Sequence, residues 1–315
     1  MRAFPATLAL AILALSAAPR VQATEGGIGR PITGMQAASY SGLIPPTPGF
    51  STQFSYLHYG GDIGASRETP VGGGAALGLD VSLDLFLATG IYIWDTGEGR
   101  WNFASMLTVP FISADADADY RIGTISGSIS DSDSGLFDAY FAPVIASYHI
   151  DEMRHVSLAM YIYAPTGSYE AGRLVNPGLN TWTFSPTVGY THLFQQGTLE
   201  WSTTAAVDFY TENDDTDYQN GAVFRVDSLL VKRTASGWGY GGVAGWIQQV
   251  EDDEGGVIAS RDGFKGRALG LGPIVTYAHK WDGGQVEFGL RYVNEFNVRN
   301  RPEGDGAMLT ASLQF

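Results

Sequence analysis

The chain contains no cysteine, which excludes a disulfide framework and zinc–thiolate centres. Nothing beyond its first two dozen residues reaches the roughly 18 consecutive apolar residues of a spanning helix. Charged residues make up only 16% of 315 positions. Cations are the scarcer sign: 18 Lys and Arg face 33 Asp and Glu, for a net charge of −15. That balance argues against a nucleic-acid partner, which needs a basic surface. The glycine clusters Gly72-Gly73-Gly74 and 237–245 lack a following helix and a Lys-Ser/Thr pair, so they make no phosphate loop. Acidic runs occur at 115–119 (DADAD), 212–217 (ENDDTD) and 251–254 (EDDE). They offer hard oxygen donors without EF-hand spacing, so they read as solvated loops. No cofactor, metal site or catalytic residue is expected.

What the chain has is glycine, 41 residues, and aromatics, 12%. It also opens as an exported precursor does. Arg2 is followed by the short apolar core LALAILAL at 8–15, and Val21-Gln22-Ala23 presents small residues where a signal peptidase reads. Residues 1–23 are therefore expected to be a signal peptide, cleaved between Ala23 and Thr24. Residues 24–48, with PITG and LIPPTPG, form a Gly/Pro-rich segment that either hangs in the periplasm or folds into the lumen of the domain downstream.

From 49 to 315 the dominant pattern is period-two alternation, the signature of strands. In 77–87, Leu77, Leu79, Val81, Leu83, Leu85 and Leu87 alternate with Gly78, Asp80, Ser82, Asp84 and Phe86. Near the end, Val286, Phe288, Leu290 and Tyr292 alternate with Glu287, Gly289 and Arg291, and the last strand alternates through Leu309, Ala311, Leu313 and Phe315. About twelve such segments are found, at 50–60, 77–94, 101–114, 136–150, 154–165, 181–194, 198–211, 221–233, 237–250, 266–280, 284–297 and 306–315. Their connections alternate between short (95–100, 151–152, 195–197, 234–237, 282–284) and long and polar (61–76, 115–135, 165–180, 212–220, 251–265, 298–305). A transmembrane barrel has short periplasmic turns and long external loops. The fold expected is all-β: an antiparallel up-and-down barrel in the bacterial outer membrane. Trp94, Trp101, Tyr148, Tyr190, Trp238 and Trp281 gather beside the short turns, where an interfacial girdle belongs.

The order of local motifs is also recognisable. Pro48-Gly49-Phe50 and Tyr59-Gly60-Gly61-Asp62 bracket the first strand. Gly135-Leu136-Phe137-Asp138 and Pro143 come next, then APTGSY at 164–169, NPGLNTW at 176–182 and Pro186. Asn213, Thr216-Asp217-Tyr218 and Gly221, then Gly272-Pro273 and Asn300-Arg301, complete the series. This resembles the family of outer-membrane proteins associated with the MetA-pathway of phenol degradation. The resemblance implies an outer-membrane transporter for poorly soluble compounds, and it brings no catalytic or ligand residues with it. Phe315 resembles the terminal aromatic by which barrel assembly machinery recognises its clients.

The strand faces opposite the lipid-facing residues should line the lumen. This places Asp80, Asp84, Glu200, Asp208, Arg225, Asp227, Glu287, Arg291 and Glu295 inward, since Arg or Lys facing mid-membrane lipid costs about 2–4 kcal/mol. They form either a constriction that selects solutes or a salt-bridge network that plugs the barrel. Arg225 and Asp227 are the candidate partners for Glu287, Arg291 and Glu295. The leading function is passive uptake of hydrophobic or aromatic compounds, and the chain is not expected to be an enzyme. One alternative is a barrel-embedded lipid hydrolase using His155 as base and Ser157 as nucleophile. Another is a non-transporting surface protein whose acidic loops bind ions or partners. Expected partners are outer-membrane lipid, lipopolysaccharide, the assembly machinery and a hydrophobic small molecule. Two measurements check the ends of the chain: N-terminal sequencing of the mature protein should begin at Thr24, and deletion of Phe315 should deplete the heat-modifiable band from the outer-membrane fraction.

Overall fold

The computed structural model describes residues 29–71, 74–122, 125–255 and 265–314. The signal peptide, the Ala23–Thr24 cleavage point, Gly72-Gly73 and Phe315 lie outside the described residues. Thirteen strands follow one another: β1 (Gly49–Val71), β2 (Gly74–Ile93), β3 (Trp101–Ile122), β4 (Ile125–Leu136), β5 (Tyr140–His149), β6 (Arg154–Tyr163), β7 (Thr183–Phe194), β8 (Leu199–Tyr210), β9 (Val223–Arg233), β10 (Trp238–Gln249), β11 (Arg267–Trp281), β12 (Gly284–Arg299) and β13 (Glu303–Gln314). The described residues contain no helix. Each strand pairs antiparallel with its neighbours, and β1 pairs with β13 from Ser51↔Gln314 to Asp62↔Glu303. The sheet therefore closes on itself. β4 and β5 both lie against β3, one above the other, and act as a single strand interrupted at residues 137–139. The result is a closed twelve-stranded up-and-down barrel.

Its outside is apolar. Phe54, Phe86, Leu107, Leu158, Val188, Leu230, Leu271, Leu290 and Leu309 all project outward and are exposed. Water would not tolerate so continuous a band, whereas lipid requires it. At the short-turn end, Trp101 packs on Tyr148 and Trp238 on Tyr277, with ring centroids 4.9 Å apart in each case. This is an interfacial girdle on the periplasmic side. The tight turns carry the backbone such turns demand: Gln195 and Gln196 have φ of 53° and 58°, and Gly283 has φ of 99°. Closure, belt and girdle together place the protein in the bacterial outer membrane.

Three expectations about the connections are corrected. The described residues of 61–76 and 115–135 are strand rather than loop, because β1 with β2 and β3 with β4 continue as paired strands beyond the lipid band. The DADAD run lies within β3. Ala114, Ala116 and Ala118 face inward and are buried, while Asp115, Asp117 and Asp119 face outward into water. Alternation of small apolar and acidic residues is as good a strand outside lipid as within it. The connection expected at 298–305 shrinks to residues 300–302.

Candidate functional site

The barrel encloses its own N-terminal segment. Residues 29–44 form a strap that descends the lumen from the external mouth to the periplasmic end. Arg30 contacts the external strand ends, and Ser41 and Gly42 contact β5 to β8 near the short turns. Ile32, Thr33, Met35 and Ala37 are buried. Of the two positions open to residues 24–48, the lumen is the one occupied by the described part.

The strap lies on the polar wall built by β7 to β12. The Gly34 amide donates to Asp227 Oδ1 at 2.7 Å and the Tyr40 amide to Glu200 Oε1 at 2.7 Å. Arg291 Nη1 donates to the Gly34 carbonyl at 3.3 Å and to the Ala37 carbonyl. Thr33 donates to Glu295, whose other oxygen accepts from the Tyr59 hydroxyl at 2.8 Å. The wall also has a groove for the strap. A Cβ at Gly245 of β10 would stand 2.3 Å from the Gly34 nitrogen, so only glycine lets the two backbones meet there.

These contacts locate the nine acidic and basic residues singled out from the sequence. Glu200, Asp208, Arg225, Asp227, Arg291 and Glu295 project inward and are buried; Glu287 projects inward and is half-buried. Their partners differ from those expected. Arg225 pairs with Asp208 at 3.2 Å. Glu287 and Glu200 are bridged by Arg233, at 3.2 Å and 2.6 Å, and the Arg233 guanidinium stands 4.9 Å over the Tyr40 ring. Arg233 ends β9 beside a turn, in phase with Arg225 and Asp227 on the inward face, which is the signal that could have found it. Arg291 and Asp227 are occupied by strap backbone, a partner that strand periodicity cannot reveal.

Asp80 and Asp84 are a correction. They lie on the outward face of β2. Asp84 accepts from the Tyr56 hydroxyl at 2.6 Å and contacts His58 Nδ1 at 2.9 Å, all three exposed. The leucines opposite, Leu79 and Leu83, are buried inside. Around these positions the inward face of β1 to β3 is apolar, and their outward face meets water where these strands rise above lipid. Alternation alone could not say which face was which.

That inner apolar wall is the second half of the lumen. Leu57, Leu79, Leu83 and Ile112 cluster with strap residues Ile32, Met35 and Ala37. Lower down, Ile93, Ala104, Ala142 and Ile145 cluster with Ile44, Ile91, Met106 and Tyr161. Leu85, Ile91, Met106 and Tyr161 face inward yet remain partly exposed, so this side of the lumen is not filled.

Asp138, in the break between β4 and β5, ties the mouth together. Its carboxylate accepts from Arg30 Nη1 at 2.7 Å, the Gly167 amide at 2.9 Å and the Leu179 amide at 3.0 Å. The strap and both ends of the 164–182 connection thus converge on one buried group. Arg30 is also sandwiched against the Phe137 and Tyr163 rings, at 5.7 and 5.0 Å. A Cβ at Gly167 would meet Gly178 Cα at 2.7 Å, which explains why the APTGSY and NPGLNTW segments each carry glycine. Outside the membrane the same connection is clasped by Arg173 to Asp131 and Asp133, at 2.6 and 2.5 Å, and the Arg173 guanidinium holds the Asp131 carboxyl below its usual range.

The His155–Ser157 pair does not assemble. Ser157 donates its hydroxyl to the Ser41 carbonyl at 2.7 Å, and His155 Nδ1 meets His149 Nδ1 at 2.7 Å. Nucleophile and base need to hydrogen-bond each other, and no such bond joins Ser157 to His155 here.

A closed transmembrane barrel with an internal strap is a class of outer-membrane protein, and sequence comparison narrows it. The profile of the family described as "Putative MetA-pathway of phenol degradation" matches residues 65–311, and the chain belongs to that family. Among solved structures, the chain is similar to the COG4313 outer membrane channel from Pseudomonas putida F1. Identity is 14%, coverage 88% of this chain and 99% of that one, and the TM-score 0.68. It is also similar to a Pseudomonas aeruginosa FadL homologue, with 10% identity, coverage of 95% and 99%, and a TM-score of 0.47. No curated protein sequence matches.

Arg291→Ala would leave two strap carbonyls without their donor, at about 1–3 kcal/mol for each unsatisfied buried group. Gly245→Leu would deny the strap its seat. Both barrels should still fold, seen as heat-modifiable gel migration, while residues 30–44 become accessible to protease and single-channel conductance rises. Asp138→Ala would strand Arg30 as a buried charge, a loss of about 3–5 kcal/mol. A lowered thermal midpoint, with faster proteolysis of the 164–182 connection, is the expected reading.

Proposed function

We infer that this protein is an outer-membrane channel for the passive uptake of hydrophobic or aromatic compounds. The observation that carries this reading is the two-sided lumen. The strap hydrogen-bonds the charged wall and covers only part of the apolar one, where Leu85, Ile91, Met106 and Tyr161 stay inward and partly exposed. A poorly soluble molecule leaving water for that surface gains about 25 cal/mol per Å² of apolar area buried. Movement along a wall of similar apolar contacts needs no energy input beyond a concentration gradient. The chain carries no nucleotide-binding motif that would supply one. The family's association with phenol degradation supports the same solute class. Outer-membrane lipid would pack on the exposed belt, and the outward acids of β2 and β3 would face the lipopolysaccharide headgroups.

Uptake of radiolabelled toluene by cells expressing the protein tests the reading, because lipopolysaccharide slows entry of hydrophobic solutes. Expression should accelerate toluene uptake several-fold and leave sucrose unchanged. Leu85→Asp should remove most of that acceleration in a barrel that still folds. Equal acceleration of sucrose, or none of toluene, would refute the proposal.

A further inference from the structure

We propose that Arg267 and Arg299 form a docking site for a lipid A phosphate on the outer wall of the barrel. The two residues are register partners at the external ends of β11 and β12. Both face outward, since Ala268 and Val298 beside them are buried inside. Arg299 owes that direction to a bulge. Between the pairs Leu269↔Phe296 and Arg267↔Arg299, β11 advances two residues and β12 three. Asn297, in the bulged stretch, has φ of 54°. Bulges re-aim side chains, and regular alternation from the outward Phe296 would have turned position 299 into the lumen. Asn297 also holds the other arginine, because its Oδ1 accepts from Arg267 Nη2 at 2.9 Å. One irregularity thus sets two cations side by side on the outside.

Like charges directly opposite each other on a sheet repel, and 33 acids are present for 18 Lys and Arg. Among the described residues, neither guanidinium forms an ion pair. Arg173 and Lys265, also outside the lumen at this end, do: Arg173 with Asp131 and Asp133, Lys265 with Asp252 at 3.6 Å. Glu303 and Asp305 of the neighbouring β13 face outward as well, and Asp305 accepts from the Tyr292 hydroxyl instead. The depth of the pair is set by the strand below it. The outward residues of β12 from Val286 to Phe296 are apolar but for Asn294 and Gly-free, and they cover ten residues, about 33 Å along a strand and, at roughly 45° of tilt, about 23 Å across the bilayer. That matches an apolar band of about 25 Å, so the arginines stand at the external headgroup level. Trp246, Leu271 and Phe296 are exposed beneath them. Guanidinium groups bind phosphate bidentately, and the apolar belt below accepts acyl chains. The leaflet on this side is lipopolysaccharide, whose lipid A joins phosphates to acyl chains in that vertical order. Phospholipid belongs to the leaflet at the short-turn end.

The test is lipid binding to the full barrel in detergent, followed by native mass spectrometry. EDTA is present, so that divalent ions cannot bridge a phosphate to Glu303 or Asp305. The probes are lipid A, its dephosphorylated form and phosphatidylglycerol. Lipid A should saturate and bind at least fivefold more tightly than either of the others. The double substitution Arg267→Gln with Arg299→Gln should weaken lipid A at least fivefold and leave the dephosphorylated form unchanged, in a barrel with heat-modifiable migration. Lys265→Gln removes a nearby cation outside the pair and should change lipid A binding less than twofold. If the double variant fails to fold, Arg299→Gln alone, which removes an exposed side chain, should weaken lipid A at least threefold. Equal affinity for phosphatidylglycerol would overturn the proposal in favour of a general anionic-lipid surface. Indifference to the arginine substitutions, or an equal loss with Lys265→Gln, would overturn it and leave an arginine pair solvated by water.

Discussion

Backbone N–H and C=O groups that face hydrocarbon have to be paired within the protein, at several kcal/mol for each one left open. The pairing of β1 with β13 meets that demand by leaving no free edge. Closure has a second consequence: it creates an inside. Once alternate residues on every strand are committed to lipid, the remaining half of each strand must face its neighbours across a lumen. Everything that distinguishes this barrel from a bare cylinder is an answer to what those residues face.

The answer differs around the circumference. On β7 to β12 the inward residues include acids, arginines and hydroxyls among aliphatics such as Leu229 and Val293, and buried charges without partners are costly. The strap supplies those partners with backbone amides and carbonyls, which bring no competing charge: the Gly34 amide for Asp227, the Tyr40 amide for Glu200, and two carbonyls for Arg291. On β1 to β6 the inward residues include leucine, isoleucine, methionine and tyrosine, and Leu85, Ile91, Met106 and Tyr161 among them are not fully covered. The strap thus hydrogen-bonds one wall and packs its own apolar side chains, Ile32, Met35, Ala37 and Ile44, against the other. Asp138 joins the two systems at the mouth, since the same carboxylate holds the strap through Arg30 and the 164–182 connection through two amides.

Much of this was legible in the residues. The strand pattern, the even strand number, the short turns and the girdle all derive from alternation and turn chemistry. These are local properties, because a strand in lipid must show an apolar residue at every second position. The inward placement of Glu287, Arg291 and Glu295 has the same origin, since Phe288, Leu290 and Tyr292 between them can only face lipid. Alternation misleads at Asp80 and Asp84. There the lumen is apolar and the outside is aqueous, so the same pattern occurs with its faces exchanged. It misleads again at the DADAD run, where an acidic sequence that reads as loop continues a hairpin into water.

Partnership was the least legible level. Arg233 bridges Glu200 and Glu287 across strands that are distant in sequence. Arg30, Thr33 and Gly34 reach residues more than a hundred positions away. A period-two pattern carries the side a residue faces and its place along the strand, and no more. Local residue chemistry was therefore enough for the strands, their turns and the membrane they cross. Which charges meet, where the strap binds and which inward residues stay partly exposed depend on barrel closure, because only closure brings residues from all twelve strands and the N-terminal segment into one enclosed space.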